Sequence, residues 1–292
     1  MGLLGYKPQS DKAGVFDSLD ENQIKKILFQ MNNCICKIKE NKKDIVGTGF
    51  FLKIPFPDEF HFLPVLITCN HVLDINSIAI GSVIEFTLQD DKIKKSIVIN
   101  NSRKKYTSTE KDVTIIEIDP QEDKIDSNAF LAVDENIYKD DLVETYKDKS
   151  VYVIHYEKGK TKKNSVGKIT SIASDNFTIK HNCKTKDGSS GSPIINLENF
   201  GVMGIHKGGP KIISINNNYG TLLKIPIDEF NESYNPGSKP IVRPNPDKIP
   251  SYKGETEKET EKETEKETEI EKETEKETEK GNFYVSNIEL LN

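Results

Sequence analysis

The amino-acid sequence predicts an all-β protein made of two β units in tandem, and three observations carry that expectation. Short runs rich in β-branched and aromatic residues recur from about residue 34 to residue 225. Turn-forming clusters such as NKK, PFPDE, QDDK and NNS separate them, and no long apolar pattern of helical period lies between them. Strand runs at spacings of roughly 8 to 12 residues, without intervening helices, belong to sandwiches or barrels and not to a parallel sheet.

Taken in order, residues 1–30 read as an N-terminal extension in which Ser18 and Glu21 form a capping-box pattern ahead of Ile24, Ile27 and Leu28. That pattern predicts one short helix over 19–30. The first β unit, 31–120, carries runs at 34–38, 45–53, 62–69, 82–88, 95–100 and 112–118. The second, 121–234, opens on a polar stretch and then shows runs at 150–155, 166–172, 176–180, 193–196, 200–206, 212–215 and 220–225. Ile225 to Tyr234 predicts a closing helix with Pro226 at its start. Five of the 13 prolines fall in 235–254, which reads as an extended linker. The ETEK repeat of 255–280 is expected to be disordered, and the apolar segment 281–292 is expected either to dock or to fray.

Charge narrows the function classes. The repeat holds 13 Glu and 6 Lys, a net −7 against −6 for the whole chain, so the other 266 residues sum to +1. A basic footprint for nucleic acid is therefore missing from the part that can fold, and no nucleic-acid partner is expected. The first 16 residues lack a basic stretch followed by an apolar core, and no apolar run approaches 18 residues. The expectation is a soluble, cytoplasmic monomer with no membrane partner. Cys34, Cys36, Cys69 and Cys183 include no CxxC pair, so free and mostly buried thiols are expected. No metal site and no phosphate loop are read from the sequence, and no cofactor is expected.

Chemistry concentrates in three segments. Asp187-Gly188-Ser189-Ser190-Gly191-Ser192-Pro193 places serines on a tight, glycine-flanked turn ahead of the apolar Ile194-Ile195. Such a turn can expose a hydroxyl while nearby backbone N–H groups point to one spot, which suits an oxyanion. A serine is a weak nucleophile without a base, and the base needs a third group to orient it. His71 follows the apolar run Val65 to Cys69, and Asp112 opens the run Val113 to Ile118. The order His, Asp, Ser puts the first two on one β unit and the third on the other, with the site in the cleft between them.

The segments GTGFFL, TCNHVL, DVTIIEI, GSSGSPIIN and GVMGIH, in this order, resemble a chymotrypsin-like serine protease over roughly residues 30–232. The motifs are most similar to those of bacterial glutamyl endopeptidases. The resemblance implies two tandem six-stranded antiparallel β-barrels, polypeptide substrates, and an endopeptidase acting through an acyl-enzyme. It also implies roles: Ser190 as nucleophile, His71 as general base, Asp112 as its orienting partner, and the N–H groups of Gly188 and Ser190 as the oxyanion hole. Ser189 and Ser192 are read as structural, because Ser190 alone holds the third position of the GxSGxP pattern.

Specificity also follows from the resemblance. A histidine in GIHxGG and a threonine five residues before the nucleophile contact a Glu or Gln side chain in such enzymes, and His206 and Thr185 occupy those places. Both can donate to a carboxylate or carboxamide oxygen; a protonated His206 would favour the carboxylate. Gly208 and Gly209 would let a substrate backbone pair alongside. Lys184 stands where trypsin-like relatives that cut after basic residues carry an Asp. His61, His155 and His181 are read as surface or strand residues. Relatives of this kind are often matured by cleavage to a new N-terminus, and this chain shows no evident propeptide. A latent scaffold that binds extended peptides without turnover is the alternative reading.

Overall fold

The structure, a computed structural model, describes residues 19–40, 45–89, 92–208, 218–237 and 241. The chain divides into two units after Pro244, and the described residues all lie in the first, Met1–Pro244. The linker from 242, the ETEK repeat and the C-terminal segment lie outside the described residues.

Helix α1 (Glu21–Phe29) opens the described chain. Its cap is Asp20, whose side chain accepts the Gln23 N–H at 2.8 Å while the Gln23 side chain accepts the Asp20 N–H at 3.0 Å. The capping box thus lies two residues beyond the Ser18 and Glu21 pair that the sequence suggested. Of the expected apolar face, only Ile27 is buried; Ile24 and Leu28 are exposed.

The first β unit is an eight-stranded sheet. Its strands are β1 (Ile35–Glu40), β2 (Ile45–Pro55), β3 (Phe62–Thr68), β4 (Val83–Leu88), β5 (Ile93–Val98), β6 (Lys105–Ser108), β7 (Val113–Glu117) and the short β8 (Leu131–Ala132). They run in the order β5-β4-β1-β2-β3-β7-β6, with β8 added parallel to β2. The sheet curls into a half-barrel whose ends, β5 and β6, are not paired among the described residues, where a closed six-stranded barrel was expected. Strand β6, KYTS, escaped the sequence reading because all four residues are half-buried and none alternates.

Burial follows the hydropathy pattern. In β4 the inward Ile84 and Phe86 are buried and the outward Val83 and Glu85 are exposed. Strands β2 and β3 are covered on both faces near their centres, which explains the unbroken runs FFL and VLI. Register carries an apolar row across four strands, Ile35 to Phe50 to Ile67 to Ile115. Phe51 packs edge-on against Phe86 and Phe130, with ring centroids 5.6 and 5.8 Å apart.

The second unit is a closed barrel, β10-β11-β14-β13-β12-β9. Its strands are β9 (Ser150–Tyr156), β10 (Lys162–Ile172), β11 (Thr178–His181), β12 (Pro193–Asn196), β13 (Val202–Gly208) and β14 (Asn218–Leu222). The expected run at 212–215 lies outside the described residues. The polar stretch before it carries the five-residue helix α2 (Leu142–Tyr146). Helix α3 (Lys224–Tyr234) follows β14, with Pro226 in its first turn and Ile227 and Phe230 buried.

One ion pair bears on the open side of the first sheet. Arg103 makes two bonds to Asp123, at 2.7 and 2.9 Å, and also donates to the carbonyls of Val98, ending β5, and Glu117, ending β7. Both side chains are buried. Arg103→Ala would strand a buried carboxylate, at a cost of about 3–5 kcal/mol. The expected result is a lower urea midpoint with an unchanged m value.

Candidate active site

Strand pairing brings His71 to Asp112. Thr68, the last residue of β3, lies opposite Thr114 near the start of β7, so the residues just beyond each strand end meet across 41 positions of sequence. His71 Nδ1 lies 2.7 Å from Asp112 Oδ2, and the His71 backbone N–H donates to Asp112 Oδ1 at 2.9 Å. Ring and main chain are therefore gripped by one carboxylate.

Asp112 holds a left-handed backbone, φ +52°, a conformation that Asp tolerates better than most residues. Its neighbour Lys111 explains how it is kept there. The Lys111 carbonyl accepts from Thr221 Oγ1 of β14 at 2.7 Å, and its ammonium lies 3.0 Å from Glu229 of α3 and 3.1 Å from Glu110. The second barrel and the C-terminal helix thus pin the turn that carries Asp112.

The serine turn is held equally closely. Thr48 of β2 donates its N–H to the Ser190 carbonyl at 2.8 Å and its hydroxyl to the Gly188 carbonyl at 2.9 Å. The Ser189 N–H donates to Lys186 O at 3.1 Å, and the Gly191 N–H to His206 O at 2.8 Å. Between them, the N–H groups of Gly188 and Ser190 donate to nothing among the described residues. Two neighbouring donors are left open, one on each side of Ser189. Gly188 has φ +86°, and a Cβ there would meet the Tyr156 carbonyl and the Gly159 nitrogen, so only glycine fits.

Ser190 Oγ donates to the Lys207 carbonyl at 2.9 Å and makes no hydrogen bond to His71. The two halves of the site are tied through one acceptor, His206 O, which takes the Gly191 N–H and, at 3.4 Å, the Cys69 thiol. Cys69, His71 and Asp112 offer ligand atoms within 4.8 Å of one another, a donor set that the sequence reading did not find. His71 Nδ1 is committed to Asp112, however, and burial raises the Cys69 thiol well above its usual value. The same burial makes Cys69 a poor target for thiol reagents. All four cysteines are free and buried.

The remaining specificity candidates lie on and beside β13. His206 is buried, and its Nδ1 lies 3.1 Å from Nε2 of His181, itself fully buried on β11. Thr185 is half-buried and shares no hydrogen bond with His206. Gly208 sits at a bulge in the β13–β14 pairing, and Gly209 lies outside the described residues.

His61 is exposed beside Asp58, and His155 and His181 lie in strands, as expected; what the sequence did not show is that His181 backs His206 and that His155 is buried with its Nδ1 2.7 Å from Ser189 Oγ. An alternating strand pattern hides them, since a buried histidine reads as polar. Burial holds His155 and His181 down to about 4 and His206 well below the ordinary histidine value. His206 is also pushed down by its histidine neighbours. The charged imidazole that would have favoured a carboxylate is thereby removed.

Comparison with known families matches residues 47–205, just over half of the chain, to the trypsin-like peptidase domain. The chain belongs to the trypsin-like peptidase family. Among solved structures, a serine endoprotease from Yersinia pestis superimposes with a TM-score of 0.52 at 11% identity, covering 74% of this chain and 69% of that one. Deg5 aligns with 72% of this chain and 94% of its own, at 14% identity and a TM-score of 0.47. At these identities the likeness bears on fold, and the first match supports a chymotrypsin-like architecture. No curated protein matches in sequence. No helix among the described residues is long and apolar enough to cross a membrane.

Two predictions follow from burial. Gly191 has φ +89°, and a Cβ there would collide with the Thr48 carbonyl and the Thr68 hydroxyl. Gly191→Ala is expected to lose several kcal/mol of stability, roughly 2–5, seen as a lower thermal midpoint. Secondly, because folding depresses three histidines, the unfolded chain binds more protons below about pH 6.5. Their contribution is fully present above that pH and is lost as pH falls, with a slope of about 1.4 kcal/mol per pH unit for each histidine. Urea midpoints should fall accordingly towards about pH 4.5, and His181→Gln should make the slope shallower.

Proposed function

We propose that the protein is a serine endopeptidase that cleaves after Gln or Glu. The observation that carries the reading is the pair of open N–H donors at Gly188 and Ser190, on the turn that carries the Ser190 hydroxyl, together with the hydrogen-bonded His71–Asp112 pair. An oxyanion is the ligand such donors suit. In the structure the Ser190 hydroxyl donates to Lys207 O. For attack it leaves that carbonyl, gives its proton to His71 Nε2 and bonds to the scissile carbon. The Asp112 carboxylate keeps the His71 proton on Nδ1 and offsets the charge that the ring acquires. The same proton then goes to the leaving amine, and water repeats the cycle on the acyl-enzyme. Relaxed hydroxyl positions are common in unliganded serine enzymes.

The tautomer of His206 supports the specificity. His181 Nδ1 is buried without a partner. Were His206 to donate to His181 Nε2, the His181 proton would sit on that orphan nitrogen, leaving a buried N–H unpaired. The cheaper arrangement has His181 donating to His206 Nδ1, so that His206 carries its proton on Nε2. A neutral Nε2–H donates to the side-chain oxygen of Gln or Glu without a charge preference for the latter. Lys184, exposed ahead of the turn, disfavours basic side chains. Thr185, Gly208 and Gly209 are assigned to substrate binding by the same reading.

A mixed-sequence peptide library, incubated with the wild-type protein and with Ser190→Ala, tests both parts. Cuts after Gln and Glu that vanish in the variant are expected; cuts after other residues would sink the pocket and keep the triad. Asp112→Asn should lower kcat by roughly 10³–10⁴-fold. Because His206 stays neutral across the working range, the ratio of Gln to Glu cleavage should change less than about twofold between roughly pH 6 and pH 8.5. A ratio that swings towards Glu at the acid end would show a charged imidazole instead.

A further inference from the structure

The turn that carries the open donors is built around Ser189, not Ser190. Ser189 is wholly buried, and every polar group it has is turned inward. Its N–H donates to Lys186 O, and its carbonyl accepts both the N–H and the hydroxyl of Ser192, at 3.1 and 2.6 Å. Its hydroxyl lies 2.7 Å from His155 Nδ1 and accepts the Lys186 N–H at 3.3 Å. The Lys186 N–H can only donate, so His155 Nδ1 is the one acceptor that the Ser189 proton meets among the described residues, and the arrangement that leaves no buried proton unpaired has Ser189 donating to it. His155 is then neutral, with its proton on Nε2.

The placement of His155 suits this. It lies on β9, one residue before Tyr156, whose N–H donates to the Thr48 hydroxyl at 3.1 Å and whose carbonyl touches the Gly188 position. Glu157, Lys163 and Lys186 are the charged groups around it, and Glu157 is itself paired with both lysines. Burial outweighs all three and keeps the imidazole uncharged. Residue 189 is pinned inward at three points, by its N–H, carbonyl and hydroxyl, while the N–H groups on either side, at 188 and 190, take no part in these bonds. Neither finds an acceptor among the described residues.

We propose that His155 is a positioning residue for the oxyanion hole, a neutral buried acceptor that holds Ser189 inward and so keeps the Gly188 and Ser190 donors open without any cleavage of the chain. The proposal rests on the serine-endopeptidase reading, and goes beyond it by placing activation inside the second barrel. The latch is made of β9 and the 186–192 turn. A hydroxyl suits an uncharged partner, because it needs only the lone pair of Nδ1 and brings no buried charge.

Three measurements on the full-length chain test it. The first is independent of catalysis: long-range ¹H–¹⁵N spectra of the histidine rings should show His155 as the Nε2–H tautomer, with its Nδ1 resonance moving when Ser189 is replaced by Ala. The second is the rate of labelling by a fluorophosphonate, which reports a reactive Ser190 with a formed hole. The uncut wild-type chain should react, and His155→Leu and Ser189→Ala should react about tenfold to hundredfold more slowly, in line with a partly lost oxyanion donor. The third is peptide kinetics, where the loss should fall on kcat with KM within about twofold. His155→Gln, whose amide oxygen can accept from Ser189, should recover most of it. Ser189→Ala removes a single oxygen and keeps the test alive if the Leu variant does not fold. An Nδ1–H tautomer for His155, wild-type kcat in folded Ser189→Ala, or labelling that appears only after the chain is cut would overturn the latch. A wild-type chain that never labels or cleaves, yet shows the expected tautomer, would refute the peptidase reading and leave the Ser189–His155 contact established.

Discussion

Thr48 is the joint on which the site depends. Its N–H and hydroxyl hold the carbonyls of Ser190 and Gly188, its hydroxyl accepts the Tyr156 N–H, and its carbonyl accepts the Thr68 hydroxyl. One buried residue of β2 thereby fastens the serine turn of the second barrel to the strand that delivers His71. A small β-branched side chain suits this place, because it fills a strand position while offering a donor and an acceptor at once. A hydrophobic residue of the same shape would remove the bonds that the Thr48 hydroxyl makes to the Gly188 carbonyl and the Tyr156 N–H.

The second barrel spends its apolar interior on three neutral histidines, an arrangement that a stability argument alone would not favour. Each sits where burial suppresses its charge, and each is used as a directional donor or acceptor instead. His181 orients His206, and His155 holds Ser189. His71 differs in being about half exposed, with its charge partner in direct contact. In the proposed mechanism proton transfer is confined to His71, while the buried histidines act as fixed hydrogen-bonding groups.

Much of this was legible in the residues themselves. The alternation of β4 and the unbroken FFL and VLI runs announce which strands are covered on one face and which on two. The motif order His71, Asp112, Ser190 places three reactive types at strand ends. Less was legible where local pattern and tertiary demand part company. The KYTS strand has no period, and the α1 cap is Asp20, whose partner Gln23 stands at the same three-residue offset as Glu21 from Ser18, so spacing alone does not choose between the two pairs. His155 and His181 look like ordinary polar positions, since nothing local records what faces a side chain across a barrel.

By itself the sequence determined the class of fold and the division into two β units and nominated the residues proposed for acyl transfer, because hydropathy period and residue type are local properties. Only the tertiary structure decided how those residues are used. The Thr68 to Thr114 register converts a separation of 41 residues into a 2.7 Å contact. Burial, which is a property of the packed barrel and not of any segment, makes His206 and His155 neutral. Hydrogen-bond direction decides the rest: with the N–H groups of residues 189 and 191 engaged, those of 188 and 190 remain open to a ligand.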